Sequence, residues 1–227
     1  MSNFHPTYQQ LIQYVAGEAS PQLALMVAAH VDMCPLCQMK VACEEEALAE
    51  QQIDQAQVQA ESADSQMQRM LSDIIQQPQS EGIALPHQKH RSKALELDGR
   101  EFEVPRCLQR YAEKVTGWNR MVGKLWQARV DLGGEGRADF IFMEKGGSVP
   151  EHTHNGQEMT LVLDGEFVDE YGHYQDGDFL LMDGQRRHSP RAEVDEGCLV
   201  FSIVDKPLHF TSGLSRLLNP FSHLFFK

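Results

Sequence analysis

The chain has 227 residues, of which 41% are hydrophobic, and a formal net charge of −13. This length suits one large or two modest domains, and no run approaches the ~18 consecutive apolar residues of a membrane span. The beginning, Met-Ser-Asn-Phe-His, lacks the basic and apolar regions of a secretory signal. We therefore expect a cytoplasmic protein that does not act at a membrane.

The negative charge is concentrated in the first part of the chain. Residues 1–85 carry only Lys40 and Arg69 against eleven acidic side chains, a balance of −9. Nucleic-acid-binding modules gain affinity from clustered Lys and Arg that displace counterions from phosphates. No direct contact with nucleic acid is expected here, which disfavours a zinc-finger DNA regulator. An acidic face suits a basic protein partner, such as a DNA-binding protein held off its DNA.

About four helices are predicted before residue 80. The first spans Tyr8–Val15, and the second begins with Ser20 as N-cap and Pro21 at the first helical position. A third begins near Cys34 and Pro35 and continues through an acidic run. Residues 51–68, rich in Gln, Ala and Glu, are either an exposed continuation of this helix or a mobile connector. The last helix is indicated by apolar residues at helical spacing: Met67, Met70, Leu71, Ile74 and Ile75.

A first cluster of metal-ligand residues lies between the second and third helices. His30 and Cys34 are one helical turn apart, and Cys37 follows about one turn later, so the three side chains can converge. Thiolates and imidazoles are the ligands that structural zinc prefers, and such sites need four of them. His5 is the best candidate for the fourth ligand, whereas Cys43 is expected to point elsewhere along the third helix.

These residues resemble a known family. An N-terminal His, followed by His-x3-Cys-x2-Cys between two amphipathic helices of an acidic four-helix domain, is similar to the zinc-binding anti-sigma fold. The matching residues are His5, His30, Cys34 and Cys37.

A change in amino-acid composition and in the spacing of apolar residues divides the chain into two parts. We predict a helical domain over residues 1–80, a linker over 81–100 rich in Pro, Gly and polar residues, and a second domain over 101–227. In the second domain, short β-forming segments alternate with glycine turns such as Asp164-Gly165, which predicts a small antiparallel barrel or sandwich. His173 and Tyr174 are expected on an exposed turn.

A second cluster of ligand residues follows the first motif of the cupin family. The run Gly146-x5-His152-x-His154-x3-Glu158-x6-Gly165 resembles that motif at every spacing. Two histidines two apart on a strand face one side, and a turn at Asn155-Gly156 can return Glu158 to it. The second cupin motif would supply His188, eleven residues after Gly177. The match is looser there, because Asp183 stands at the usual proline and Ala192 at the usual asparagine. These ligands suit zinc or another divalent transition metal.

Together the two resemblances cover nearly the whole chain and match the ChrR family of bacterial anti-sigma factors. The fold class implied is α+β multidomain, with an N-terminal all-α helical bundle and a C-terminal all-β cupin barrel. The family implies that the helical domain binds an ECF-type sigma factor. It also implies that the cupin senses oxidative stress, such as singlet oxygen or organic hydroperoxides, and regulates transcription without being an enzyme. The alternative is a metal-dependent cupin enzyme, a dioxygenase or isomerase, with the helical part as an accessory.

Overall fold

The computed structural model describes residues 2–59, 65–77, 94–121, 124–133 and 136–211. Five helices lie in these ranges. Four precede the β-rich region and one follows its first strands: α1 (Tyr8–Val15), α2 (Pro21–Met33), α3 (Pro35–Gln59), α4 (Ser65–Gln76) and α5 (Arg106–Ala112).

The helix starts follow local capping chemistry. The Thr7 side chain accepts from the Gln10 amide, and the Gln10 side chain accepts from the Thr7 amide, which forms a capping box at α1. Ser20 caps α2, and Pro21 occupies its first turn, as predicted. The segment after residue 51 continues as helix to Gln59, so the first of the two alternatives holds up to that point.

The chain divides into two compact units. The first combines residues 1–41 with 92–227, and the second is 42–91. In the first unit α1, α2 and the start of α3 share a small core of Leu11, Val27, Cys34, Cys37 and Val41. The predicted linker lies mostly outside the described residues. Its end belongs to a β-ribbon whose Leu95 and Leu97 are buried. The domain limits given above stay a prediction.

The second unit contains the remainder of α3 and all of α4. The apolar side chains of α4 that were predicted to face one side are all exposed. Leu36 and Met39, on the part of α3 that belongs to the first unit, are also exposed. No described helix is both long and apolar enough to cross a membrane.

Within the described residues of the first unit, eleven strands form three sheets. Their bounds are β1 Leu95–Leu97, β2 Arg100–Phe102, β3 Asn119–Met121, β4 Leu125–Val130, β5 Arg137–Met143, β6 His152–His154, β7 Glu158–Val168, β8 His173–Gln175, β9 Phe179–Met182, β10 Cys198–Val204 and β11 Leu208–Phe210. The main sheet has the order β3-β4-β5-β10-β7-β8, with β9 also paired to β7, while β1 pairs β2 and β6 pairs β11. Every strand pair is antiparallel, as predicted.

The barrel core is built from inward-facing aromatic and aliphatic side chains. Phe140 on β5 and Phe201 on β10 are fully buried with ring centroids 4.9 Å apart. Met26 and Ala29 of α2 belong to the same core cluster as these two rings. Residues 1–41 therefore share a hydrophobic core with the barrel.

Two local predictions were wrong. Asp164-Gly165 is not a turn, because β7 continues through it with a bulge opposite Leu199 and Val200. Gly165 has φ +79° there, and an added Cβ would collide with the Gly197 carbonyl, so the glycine serves strand packing. Tyr174 is buried on β8, where its ring packs on Phe167, although the neighbouring His173 is exposed as expected. The apolar stretch after residue 211 lies outside the described residues.

Two candidate metal centres

The four residues of the first cluster meet at the junction of α2 and α3. His5 lies just before α1, His30 in the last turn of α2, Cys34 at its C-cap and Cys37 in the first turn of α3. The helix end holds two of them together, since the Cys34 amide donates to the His30 carbonyl at 2.8 Å. One ligand atom from each residue lies within 4.8 Å of all the others. Cys43 is exposed on α3 and is not part of this group.

The spacing of these atoms fits a tetrahedral zinc ion. His5 Nδ1 lies 3.3 Å from His30 Nε2 and 3.5 Å from each of the sulfurs of Cys34 and Cys37. Zinc bonds of about 2.0–2.1 Å to nitrogen and 2.3 Å to sulfur place two nitrogens about 3.3 Å apart, and a nitrogen about 3.5 Å from a sulfur. Two thiols and two imidazoles are also the donor set of structural zinc, so the residues present fit the ion.

Burial shifts the pKa values of two members of this centre, His30 and Cys37. It lowers the pKa of His30 to about 4, which keeps the imidazole neutral and able to bind a metal. Burial, together with the neighbouring Cys34, raises the pKa of Cys37 to about 11. Without a metal, Cys37 is therefore a thiol at neutral pH, and metal binding has to displace its proton.

The second cluster is brought together by three parts of the barrel. His152 and His154 occupy β6 and point inward, while Thr153 between them bonds the Gly184 carbonyl. Glu158 is the first residue of β7. His188 pairs with His152 through two backbone hydrogen bonds of 3.1 Å.

The ligand atoms of this cluster converge. His154 Nε2 lies 3.1 Å from His188 Nε2 and 3.1 Å from Glu158 Oε2, and His188 Nε2 lies 3.7 Å from the same oxygen. One ligand atom from each of the four residues lies within 4.8 Å of the rest. Three imidazoles and a carboxylate suit a divalent transition metal, and these spacings allow more than one coordination geometry.

Neighbouring groups orient these ligands. His152 Nδ1 donates to the Pro150 carbonyl at 2.8 Å, and His188 Nδ1 bonds the Asp169 carboxylate at 3.2 Å, so both Nε2 atoms are left for a metal. Glu158 Oε1 accepts from Ser202 at 2.8 Å, which leaves Oε2 for the imidazoles. Burial alone would raise the pKa of Glu158, but the imidazoles lower it overall. The side chain is therefore a carboxylate.

Asp169 and Ser202 were not found from the sequence. Asp169 follows the end of β7, and Ser202 lies on β10, 44 residues from Glu158. Nothing in their local sequence marks either residue, because their role depends on strand pairing across the barrel.

An apolar cavity opens beside the second centre. Its volume is about 70 Å³, and His152, Glu158 and His188 line it together with Met143, Leu180, Met182 and other apolar side chains. Liquid water occupies about 30 Å³ per molecule, so the space suits a molecule of a few non-hydrogen atoms.

Comparison with known proteins gives a consistent result. The ChrR Cupin-like domain family matches residues 127–206. The chain is 30% identical over 218 residues to the anti-sigma-E factor ChrR of Cereibacter sphaeroides, covering 96% of each protein. It also resembles the crystal structure of Rhodobacter sphaeroides SigE in complex with the anti-sigma ChrR, with a TM-score of 0.61 and 25% identity. That match covers 89% of this chain and 99% of the solved one.

Proposed function

Because the chain belongs to the ChrR family of anti-sigma factors, we propose that it binds an ECF-type sigma factor in the cytoplasm and keeps it inactive. We further propose that oxidative stress, such as singlet oxygen or an organic hydroperoxide, makes the chain release its partner. The relative that aligns with 96% of this chain is an anti-sigma factor, which is a regulator and not an enzyme. This disfavours the alternative of a cupin enzyme.

The exposed apolar face of α4 is the observation that carries the binding proposal. Its five large apolar side chains are 57–72% exposed: Met67, Met70, Leu71, Ile74 and Ile75. They recur at the spacing of one helix face, which in a globular protein is normally buried. A helix that lies in a groove of a partner protein uses anchors at this spacing. We infer that this face, the α4 stripe, contacts the sigma factor.

The charge of the segment that carries the α4 stripe suits such a partner. Residues 42–91 contain nine acidic and three basic side chains. Sigma factors bind DNA and therefore present basic surfaces, which an acidic partner can attract and cover. Apolar anchors on an acidic segment thus combine affinity with selection of a DNA-binding protein over other proteins.

The first metal centre would hold the helical part in its binding arrangement. His5, His30, Cys34 and Cys37 would bind structural zinc, which links the segment before α1 to the junction of α2 and α3. A structural zinc ion contributes free energy of folding directly. Its loss is therefore expected to loosen this junction.

The second metal centre would detect the signal. His152, His154, Glu158 and His188 would hold zinc or another divalent transition metal, which supplies Lewis-acid or redox chemistry when bound. The chain's own contribution is an apolar cavity beside these ligands, with room for a small oxidant. A signal that weakens sigma binding a hundredfold has to favour the low-affinity state by about 2.7 kcal/mol.

Co-purification tests this function. The chain is expressed with each ECF-type sigma factor of its source organism, purified by a tag on the sigma factor, and analysed for metals. We expect a one-to-one complex with about two metal ions per chain. A metal-loaded chain that retains none of these sigma factors would overturn the proposal. Full affinity in a variant whose His5, His30, Cys34 and Cys37 are all replaced by alanine would overturn the role given to the first metal centre.

A further inference from the structure

The segment that carries His5 is held by a turn of the barrel. This turn, residues 176–178 between β8 and β9, is named the Gly177 turn. The amides of Asn3 and Phe4 donate to Asp178 Oδ1 at 2.5 and 3.0 Å. The Phe179 amide in turn donates to the Phe4 carbonyl at 3.0 Å. Residues 3 and 4 therefore lie against the Gly177 turn and the start of β9, directly before His5.

Asp178 depends on these contacts. Its side chain is fully buried, with 0% exposure, and Oδ2 accepts from the Gln175 amide at 2.9 Å. A buried carboxylate is strongly destabilising unless hydrogen bonds replace its water, and bonds to a charged acceptor are among the strongest. Two of its three amide donors come from the N-terminal segment. Undocking this segment would leave the carboxylate short of partners, so Asp178 favours the docked state.

The same turn orients a residue of the first metal centre. His30 Nδ1 lies 2.7 Å from the Gly177 carbonyl oxygen, which can only accept, so Nδ1 carries the proton. His30 Nε2 is then unprotonated and faces His5 Nδ1 at 3.3 Å. A partner of this kind selects the tautomer and direction of a ligating imidazole, and its loss costs about 10–100-fold in metal affinity.

The strand that begins at this turn ends at the second centre. Leu180 and Met182 of β9 line the cavity beside His152 and His188. Four residues of strand span about 13 Å. A short, regular element therefore joins the wall of the sensing cavity to the groups that hold His5 and His30.

We propose that the Gly177 turn is a positioning element for the first metal centre: Asp178 holds the segment carrying His5, and the Gly177 carbonyl orients His30. Zinc retention then depends on the barrel as well as on the four ligands. A shift of β9 would then loosen the zinc site and so weaken sigma binding. This consequence rests on the proposed function.

The test measures zinc loss from the full-length, metal-loaded chain. Replacing zinc by Co²⁺ gives a thiolate-to-metal charge-transfer band that reports only on the centre with cysteines, and transfer to a chromophoric chelator gives the release rate. Asn3→Pro removes one amide donor to Asp178 without altering the barrel, and Asn3→Ala, which keeps that amide, is its control. Asp178→Ala removes the acceptor. Asp176→Asn, at an exposed residue of the same turn, is the matched control.

We expect release to be about 10–100-fold faster in Asp178→Ala. It should be intermediate in Asn3→Pro and in Asp178→Asn, whose amide oxygen still accepts, and unchanged in both controls. Asn3→Pro decides the question if Asp178→Ala does not fold, and equal rates in Asn3→Pro and Asn3→Ala would overturn the proposal. Sigma binding is measured separately. A wild-type chain that binds no sigma factor would refute the proposed function while leaving the release rates to judge the turn.

Discussion

Glu158 and Met182 are direct cross-strand partners on β7 and β9. Glu158 is a candidate metal ligand and Met182 lines the adjacent cavity, so one strand pair contributes to both. At the other end of this pair, Leu161 lies opposite Phe179, the residue after Asp178. A shift of the backbone at Glu158 is therefore applied to the strand that meets the N-terminal segment.

The second metal centre is expected to control release and not binding. Replacing His152 and His188 by alanine should remove about one metal ion per chain and leave sigma affinity unchanged within about threefold, because neither residue belongs to the α4 stripe that is proposed to contact the sigma factor. Release under an organic hydroperoxide or singlet oxygen should be lost. His173→Ala, an exposed histidine paired with Glu166 at 2.9 Å, is the control. Normal oxidant-induced release from the double variant would show that the sensor lies elsewhere.

A charge placed on the α4 stripe should weaken sigma binding. Ile74→Glu exchanges a side chain that is 61% exposed in the free chain for one that resists burial. Burying an isoleucine contributes about 1.5–3 kcal/mol, so we expect a loss of affinity of at least tenfold by calorimetry or surface plasmon resonance. Ser72→Glu introduces the same charge on the opposite face of α4 and should bind nearly as the wild type. Equal affinities for the two variants would exclude this face from the interface.

Zinc binding to the first centre should release a proton from Cys37. The raised pKa, about 11, means that the thiol is protonated at pH 7.5, whereas zinc binds the thiolate. Zinc affinity should therefore rise with pH through this range. Calorimetric titrations of the metal-free chain in buffers of different ionisation enthalpy give the number of protons released, which should fall by about one in Cys37→Ser. An unchanged number would mean that Cys37 is already ionised or does not bind the metal.

The aromatic pair in the barrel core should dominate stability. Phe201 is fully buried against Phe140, and its replacement by alanine removes a ring and leaves a cavity. We expect the free energy of unfolding, measured with urea, to fall by about 3–5 kcal/mol. Tyr171→Ala, at a ring that is 47% exposed, should change it by less than about 1 kcal/mol. A small effect at Phe201 would indicate a core that repacks.

Local sequence patterns predicted the parts of the structure that are local. The cap of α2 and the spacing of His30, Cys34 and Cys37 are set within a few residues. The fold class was implied by the resemblance of the two ligand clusters to known families. His5 was predicted from a further argument, namely that structural zinc needs a fourth ligand. The structure places His5 beside the other three residues.

Relationships that depend on distant strands were not predictable in this way. Asp-Gly is a strong turn signal, yet at Asp164-Gly165 pairing with β10 and close packing on Gly197 override it. Asp178 and Asp169 look like ordinary turn residues in the sequence. Their importance arises from amides and imidazoles that lie up to 175 residues away along the chain.

That separation also orders events during synthesis. Asn3 leaves the ribosome before Asp178, which follows 175 residues later. At translation rates of about 5–20 residues per second, the N-terminal segment waits roughly 10–35 s for its acceptor. The ligands of the first centre are thus all present long before the turn that orients them. A nascent chain should be able to capture zinc early and tighten its hold only once the barrel has closed.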